Sequence, residues 1–368
     1  MTESSKKNRI IFIDLMRAFD VLMMVQGHTI DAFLADEFRT SDSILYNLWV
    51  TVRGFTAPIF MISSGVAFSY LFFLNNKPFH DNPRVFKGIQ RFLILVLIGY
   101  LLRFPTHRVI EFSIVSFEQW MVFFQVDALH LIGTGILLLI FFAYVSEKFK
   151  LNIFIVYSIA AFFFFSIWNI TEQINWANYL PIPFAAWLYH KTGSLFPIFP
   201  WAGYVISGGI LGTFLAKNPA IFKEKKFVIK LSLVGALFLA LAFVTFLIQN
   251  KFFGYKFFIT DNYFVIFLRL GVVILLNSIM AAISLFVKDI PEIIKQVGRY
   301  TLIIYAVHVI ILYGSAWIPG FYMFWPKSLS LKGSILAAIL LILLMILMVH
   351  LLEKYKFAFN KKVQKLRT

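Results

Sequence analysis

Ten apolar stretches follow one another along this 368-residue chain and leave little sequence between them. They run near 10–35, 46–75, 88–103, 121–145, 152–168, 197–216, 228–248, 263–287, 299–318 and 332–352. A bilayer core of about 30 Å takes about 20 apolar residues to cross as a helix. Lipid offers the backbone no hydrogen-bond partners, so stretches of this kind can only be helices. The composition agrees, with 60% hydrophobic and 14% charged residues, where soluble domains average about 25% charged. The expected fold class is therefore all-α: a polytopic membrane protein of about ten transmembrane helices. No linker, repeat or low-complexity run divides it, so one domain over 1–368 is expected, with basic tails at 1–9 and 353–368.

An even number of spans puts both termini on one side, and the basic residues say which. Counting Arg91, Lys230 and Arg299 at the span ends with them, the N-tail, the connections after the second, fourth, sixth and eighth spans, and the C-tail hold 23 Lys and Arg; the other five connections, with Arg103 and Lys332, hold 8. Positive charge collects in the cytoplasm, so both termini are expected there. In a soluble protein a net charge of +16 would suggest nucleic acid; here the charge belongs to the membrane surface, and no nucleic-acid partner is expected. Lys217, Lys223, Lys225 and Lys226 read as surface anchors of this kind, while His80, His107, His190 and His350 fall in loops or near span ends. The absence of cysteine excludes thiolate chemistry and Cys-based metal sites.

Charge inside a span is expensive and marks function or partnership. The first span carries Asp14, Arg17, Asp20, His28 and Asp31. Arg17 and His28 are separated by ten residues, which on a helix returns to within about 20° of the same face, roughly 16 Å further along. By rise per residue His28 lies roughly 27 Å from the inner end, with Asp31 beyond it. Asp127 and His130 in the fourth span, Arg53 in the second and Arg269 in the eighth fall roughly 9–13 Å below the same outer surface. The two arginines could neutralise Asp31 and Asp127 and leave the histidines able to act as bases. Asp31 could equally orient His28 directly. Toward the inner side stand Lys87, Arg91, Arg299, Tyr305 and His308, a basic mouth suited to an anionic ligand. On depth alone, His308 belongs with that mouth and not with His28. Asp127, His130 and His28 do not make a specific metal-ligand pattern, and no metal is expected. Pro58, Pro197 and Pro200 should kink or break their helices, and the outer connection 169–196, with Trp176, Tyr179, Trp187 and Tyr189, reads as an interfacial cap.

Five ordered segments carry a resemblance. They are Arg9 to Arg17 continuing to Met24 and His28; Pro58-Ile-Phe-Met-Ile-Ser-Ser-Gly65; Asp127-Ala-Leu-His130-Leu-Ile-Gly133; Phe199-Pro-Trp-Ala-Gly203; and Gly298-Arg-Tyr-Thr-Leu-Ile-Ile-Tyr305-Ala-Val-His308. Together they resemble the transmembrane acyltransferase superfamily, in particular a bacterial branch related to the heparan-α-glucosaminide N-acetyltransferase catalytic domain. The spacing of Arg17 and His28 is also similar to that of acyltransferase-3 proteins. Ala18 stands where the family usually has Gly after the Arg. The resemblance implies transfer of an acetyl group from cytoplasmic acetyl-CoA to an amino or hydroxyl group of an extracytoplasmic sugar or glycan, in the inner membrane of a bacterium.

On that reading the catalytic candidates are His28, Asp31, Asp127 and His130, and those for donor binding are Arg17, Lys87, Arg91, Arg299 and His308. His28 would take the proton of the acceptor nucleophile or become acylated itself. A bland alternative for Arg17 is an ion-pair knot with Asp14 and Asp20. The rival for the whole chain is a transporter or flippase for a glycolipid or small anion, since charged stripes and proline-broken spans also line substrate pathways. Association into a homo-oligomer is left open.

Overall fold

The computed structural model describes residues 10–109, 111–253, 262–287 and 289–365; the expected basic tail 1–9 and residues 366–368 lie outside it. Among the described residues the regular structure is helical, with two isolated β-bridges. Its principal helices are α1 (Ile11–Phe33), α2 (Ile44–Arg53), α3 (Thr56–Phe73), α4 (Pro83–Leu102), α5 (Phe117–Phe124), α6 (Ala128–Lys148) and α7 (Ile153–Gln173). They continue with α8 (Ile198–Lys217), α9 (Lys225–Phe253), α10 (Tyr263–Phe286), α11 (Glu292–Arg299), α12 (Thr301–Tyr313) and α13 (Leu331–Lys365). The protein is thus an all-α polytopic membrane protein. Among the described residues eight helices are long and apolar enough to cross a membrane, or nine if the bent pair α11 and α12 makes one span. α1 is not among them. It has 23 residues, about 35 Å of helix, but carries Asp14, Arg17, Asp20 and Asp31.

Boundaries move in informative ways. The expected span at 121–145 is two helices, because Gln125 to Asp127 is extended and α6 begins only at Ala128. Pro58 does not kink a span: the chain breaks earlier, at Gly54, and Pro58 falls in the first turn of α3, where a missing N–H costs nothing. The expected break near Pro197 and Pro200 is present, with Phe199 in extended backbone between helical neighbours.

The chain divides into two compact units, 1–56 with 286–368, and 57–285. In the first, α1 packs against α11, α12 and α13, and Ile30 and Leu34 meet Ala338, with Phe38, Tyr46 and Trp49 around them. The C-terminal end of α1 is tied to the connection after α12 by backbone bonds: Leu329 N–H donates to the Phe33 carbonyl at 2.8 Å and Ala35 N–H to the Leu329 carbonyl at 2.9 Å.

In the second unit α8 packs against α6 and α7, and α4 packs against α6. The closest approach is between α3 and α8. A Cβ on Gly65 would fall on the Val205 carbonyl oxygen, one on Gly208 on the Ile62 carbonyl oxygen, and one on Gly212 on the Val66 carbonyl oxygen. With no hydrophobic force between helices in lipid, such backbone proximity maximises van der Waals contact. The connection 169–196 is held by its own polar groups. The Tyr189 hydroxyl bridges Asn175 and the Ala177 N–H, and His190 Nδ1 lies 2.7 Å from Glu172.

Candidate functional site

In the first unit the residues of α1 meet partners drawn from the far end of the chain. Arg17 donates to the Thr301 hydroxyl at 3.0 Å, at the start of α12. One turn further, Asp20 is fully buried and its carboxylate oxygens accept no hydrogen bond among the described residues. α11 rests directly on α1 here, since a Cβ on Gly298 would stand 3.0 Å from the Asp14 carbonyl oxygen.

Two and three turns further along α1, a second group assembles. His28 Nδ1 lies 2.9 Å from His308 Nε2, with the rings stacked at 5.2 Å between centroids. His308 is fully buried, and its Nδ1 lies 2.7 Å from the Ile304 carbonyl oxygen one turn earlier in α12. Tyr313 places its ring 6.3 Å from that of His28 and donates its hydroxyl to the His28 carbonyl at 3.3 Å. His308 therefore stands beside His28 and not with a separate basic mouth: Thr301 is level with Arg17, so His308, seven residues along α12, and His28, eleven residues along α1, differ in rise by only about 6 Å.

Asp31 resolves toward neutralisation. It takes both arms of Arg53, at 2.7 and 3.1 Å, and an N–H of Arg39 at 3.3 Å. Arg39 also donates to the Leu34 and Asp31 carbonyls and stands 3.5 Å from Asp36, which pairs with Lys327 at 3.1 Å. This lattice anchors the outer end of α1 next to His28. Arg39 and Lys327 escaped notice in the sequence because loop charges look alike until their partners are known.

Arg299 is held by carboxylates. Its guanidinium donates to Glu353 and stands 3.6 Å from Glu292, which satisfies most of the charge that a phosphate would otherwise meet.

In the second unit, Asp127 and His130 have a structural explanation. Asp127 is the N-cap of α6: its Oδ1 accepts from the Leu129 and His130 N–H groups at 2.8 and 3.2 Å. His130 Nδ1 lies 2.8 Å from the same oxygen. Its ring is fully buried between Tyr100, at 4.3 Å, and Trp187, with Gly99 so close that any side chain there would strike it. Arg103, at 3.9 Å, and not Arg269, is the cation beside Asp127; Arg269 lies over the Trp201 ring. Asp127→Ala should therefore cost the fold about 0.5–2 kcal/mol, the usual value of a cap. Asp127→Asn, which keeps the accepting oxygen, should recover most of it in thermal unfolding. A catalytic carboxylate would show the opposite pattern, with Asn as inactive as Ala.

Lys87 and Arg91 lie one turn apart near the start of α4, both exposed, and neither forms an ion pair among the described residues. No group of three or more His, Asp or Glu among the described residues stands in a metal-holding arrangement.

The helices that present Arg17, His28, Lys87 and Arg91 lie in one continuous match: residues 9–245 match the family described as heparan-alpha-glucosaminide N-acetyltransferase, catalytic. The chain belongs to this family. Comparison with curated proteins and with solved structures returned no match. Membership in the heparan-α-glucosaminide N-acetyltransferase catalytic family makes the chain a membrane acetyltransferase in its general class. The match takes in His28 and stops before Arg299 and His308.

Proposed function

We propose that this protein transfers an acetyl group from acetyl-CoA on the cytoplasmic side to an amino or hydroxyl group of an extracytoplasmic sugar or glycan, in a bacterial inner membrane. The observation that carries the reading is the family match over 9–245 together with His28 on α1, an imidazole held among the described residues by a hydrogen bond at one nitrogen. In the reaction the acceptor nitrogen or oxygen attacks the thioester carbonyl carbon. A C–N or C–O bond forms while the C–S bond breaks. His28 Nε2 takes the proton from the acceptor and hands it to the departing sulfur, so charge and atoms balance.

The phosphates of the donor are assigned to Lys87 and Arg91, whose exposed cations share one face of α4. Arg299 is not kept in that role, because Glu353 and Glu292 already hold it.

The test is acetyl-CoA binding to the purified protein, followed by transfer of labelled acetyl to glucosamine or a glycan. Wild type should bind and transfer. The double variant Lys87→Ala with Arg91→Ala should bind acetyl-CoA about 10- to 100-fold more weakly, as expected for the loss of two charge-assisted contacts. Wild-type protein that neither binds the thioester nor labels an acceptor would sink the reading.

A further inference from the structure

The Ile304 carbonyl can only accept, so at 2.7 Å His308 Nδ1 must carry the proton of that bond. A neutral His308 then presents Nε2 as a lone pair. The atom 2.9 Å away is His28 Nδ1, which must be the donor. The proton of neutral His28 is thereby fixed on Nδ1, and Nε2 is left as the basic nitrogen. The hydrogen-bond chain runs Ile304 carbonyl, His308, His28, and each link settles the state of the next.

We propose that His308 is a positioning residue that holds His28 in the one tautomer and orientation that can take the acceptor's proton. The inference rests on the reading of His28 as the base. It also means that the region beyond the family match, 246–368, supplies half of the working pair. A merely packed histidine explains the burial of His308 but not why its two nitrogens have complementary partners on opposite sides. In an isolated imidazole the two tautomers differ little, so an acceptor at Nδ1 decides which nitrogen is free.

The full-length protein in detergent or nanodiscs allows a direct test. Nitrogen NMR of wild-type protein labelled in histidine, assigned with His28→Ala, should place the His28 proton on Nδ1 and leave Nε2 bare. A proton on Nε2 overturns the proposal without any His308 variant having to fold. His308→Ala should lower kcat by about 100-fold, with KM for acetyl-CoA changed by no more than about twofold. His308→Gln, whose side-chain oxygen can accept at the place of Nε2, should recover at least about tenfold of the loss. Wild-type kcat in His308→Ala, or no recovery in a folded, donor-binding His308→Gln, would each overturn it. If His28→Ala itself retains wild-type turnover, the base assignment has failed, which is a different outcome from His308→Ala being active while His28→Ala is dead.

Discussion

His28→Ala is expected to lose about 10²- to 10⁴-fold in turnover, the range contributed by a well-placed general base, while its affinity for acetyl-CoA stays near that of wild type. The split follows from position. His28 has its hydrogen-bond partner on α12, and its ring neighbours are His308 and Tyr313. Stopped-assay transfer of labelled acetyl and equilibrium binding of acetyl-CoA on the same preparation separate the two quantities. Parallel loss of binding and turnover would point to a collapsed α1 and not to missing chemistry. Full turnover would remove His28 from the mechanism.

The second large effect concerns the scaffold. Gly208→Val would drive a branched side chain onto the Ile62 carbonyl, and Gly65→Val one onto the Val205 carbonyl. Neither obstacle is a flexible side-chain tip; both are helical backbone and must move as a body. Each substitution is expected to cost at least the upper end of the about 1–3 kcal/mol typical of overpacking, seen as a lowered unfolding midpoint in detergent and a loss of monodisperse protein. Gly333→Ala is the control. A Cβ there meets nothing nearer than 3.4 Å, so the exchange should be neutral or stabilising by about 0.5–1 kcal/mol. Equal damage from all three would show that α3 and α8 are not in close backbone contact.

The sequence made most of the helices legible because hydropathy over about 20 residues reports directly on the bilayer. It was less informative wherever an end or a bend mattered. Asp127 and His130 at i and i+3 look like two inward-facing groups if the span begins near residue 121. Once α6 begins at Ala128, the same spacing is a capping box, and the pattern of an acidic residue just ahead of an apolar run was the available clue. His308 was misplaced for a related reason: its depth was counted from an assumed helix start, and no local pattern shows that Thr301 will stand level with Arg17. Arg17 and His28 were visible because periodicity within one helix needs no tertiary knowledge. Their partners Thr301 and His308 were not, because no local pattern specifies which distant helix will face a given side.

The pairing of α1 with α12 has a consequence for biogenesis. Arg17 and Thr301 are 284 positions apart, and His28 and His308 are 280 apart. At about 5–20 residues per second of synthesis, the leading helix waits some tens of seconds between leaving the ribosome and meeting the segment that satisfies its polar side. Throughout that interval Arg17 and His28 lack these two partners, so the polar face of α1 is completed only when the segment carrying α12 arrives.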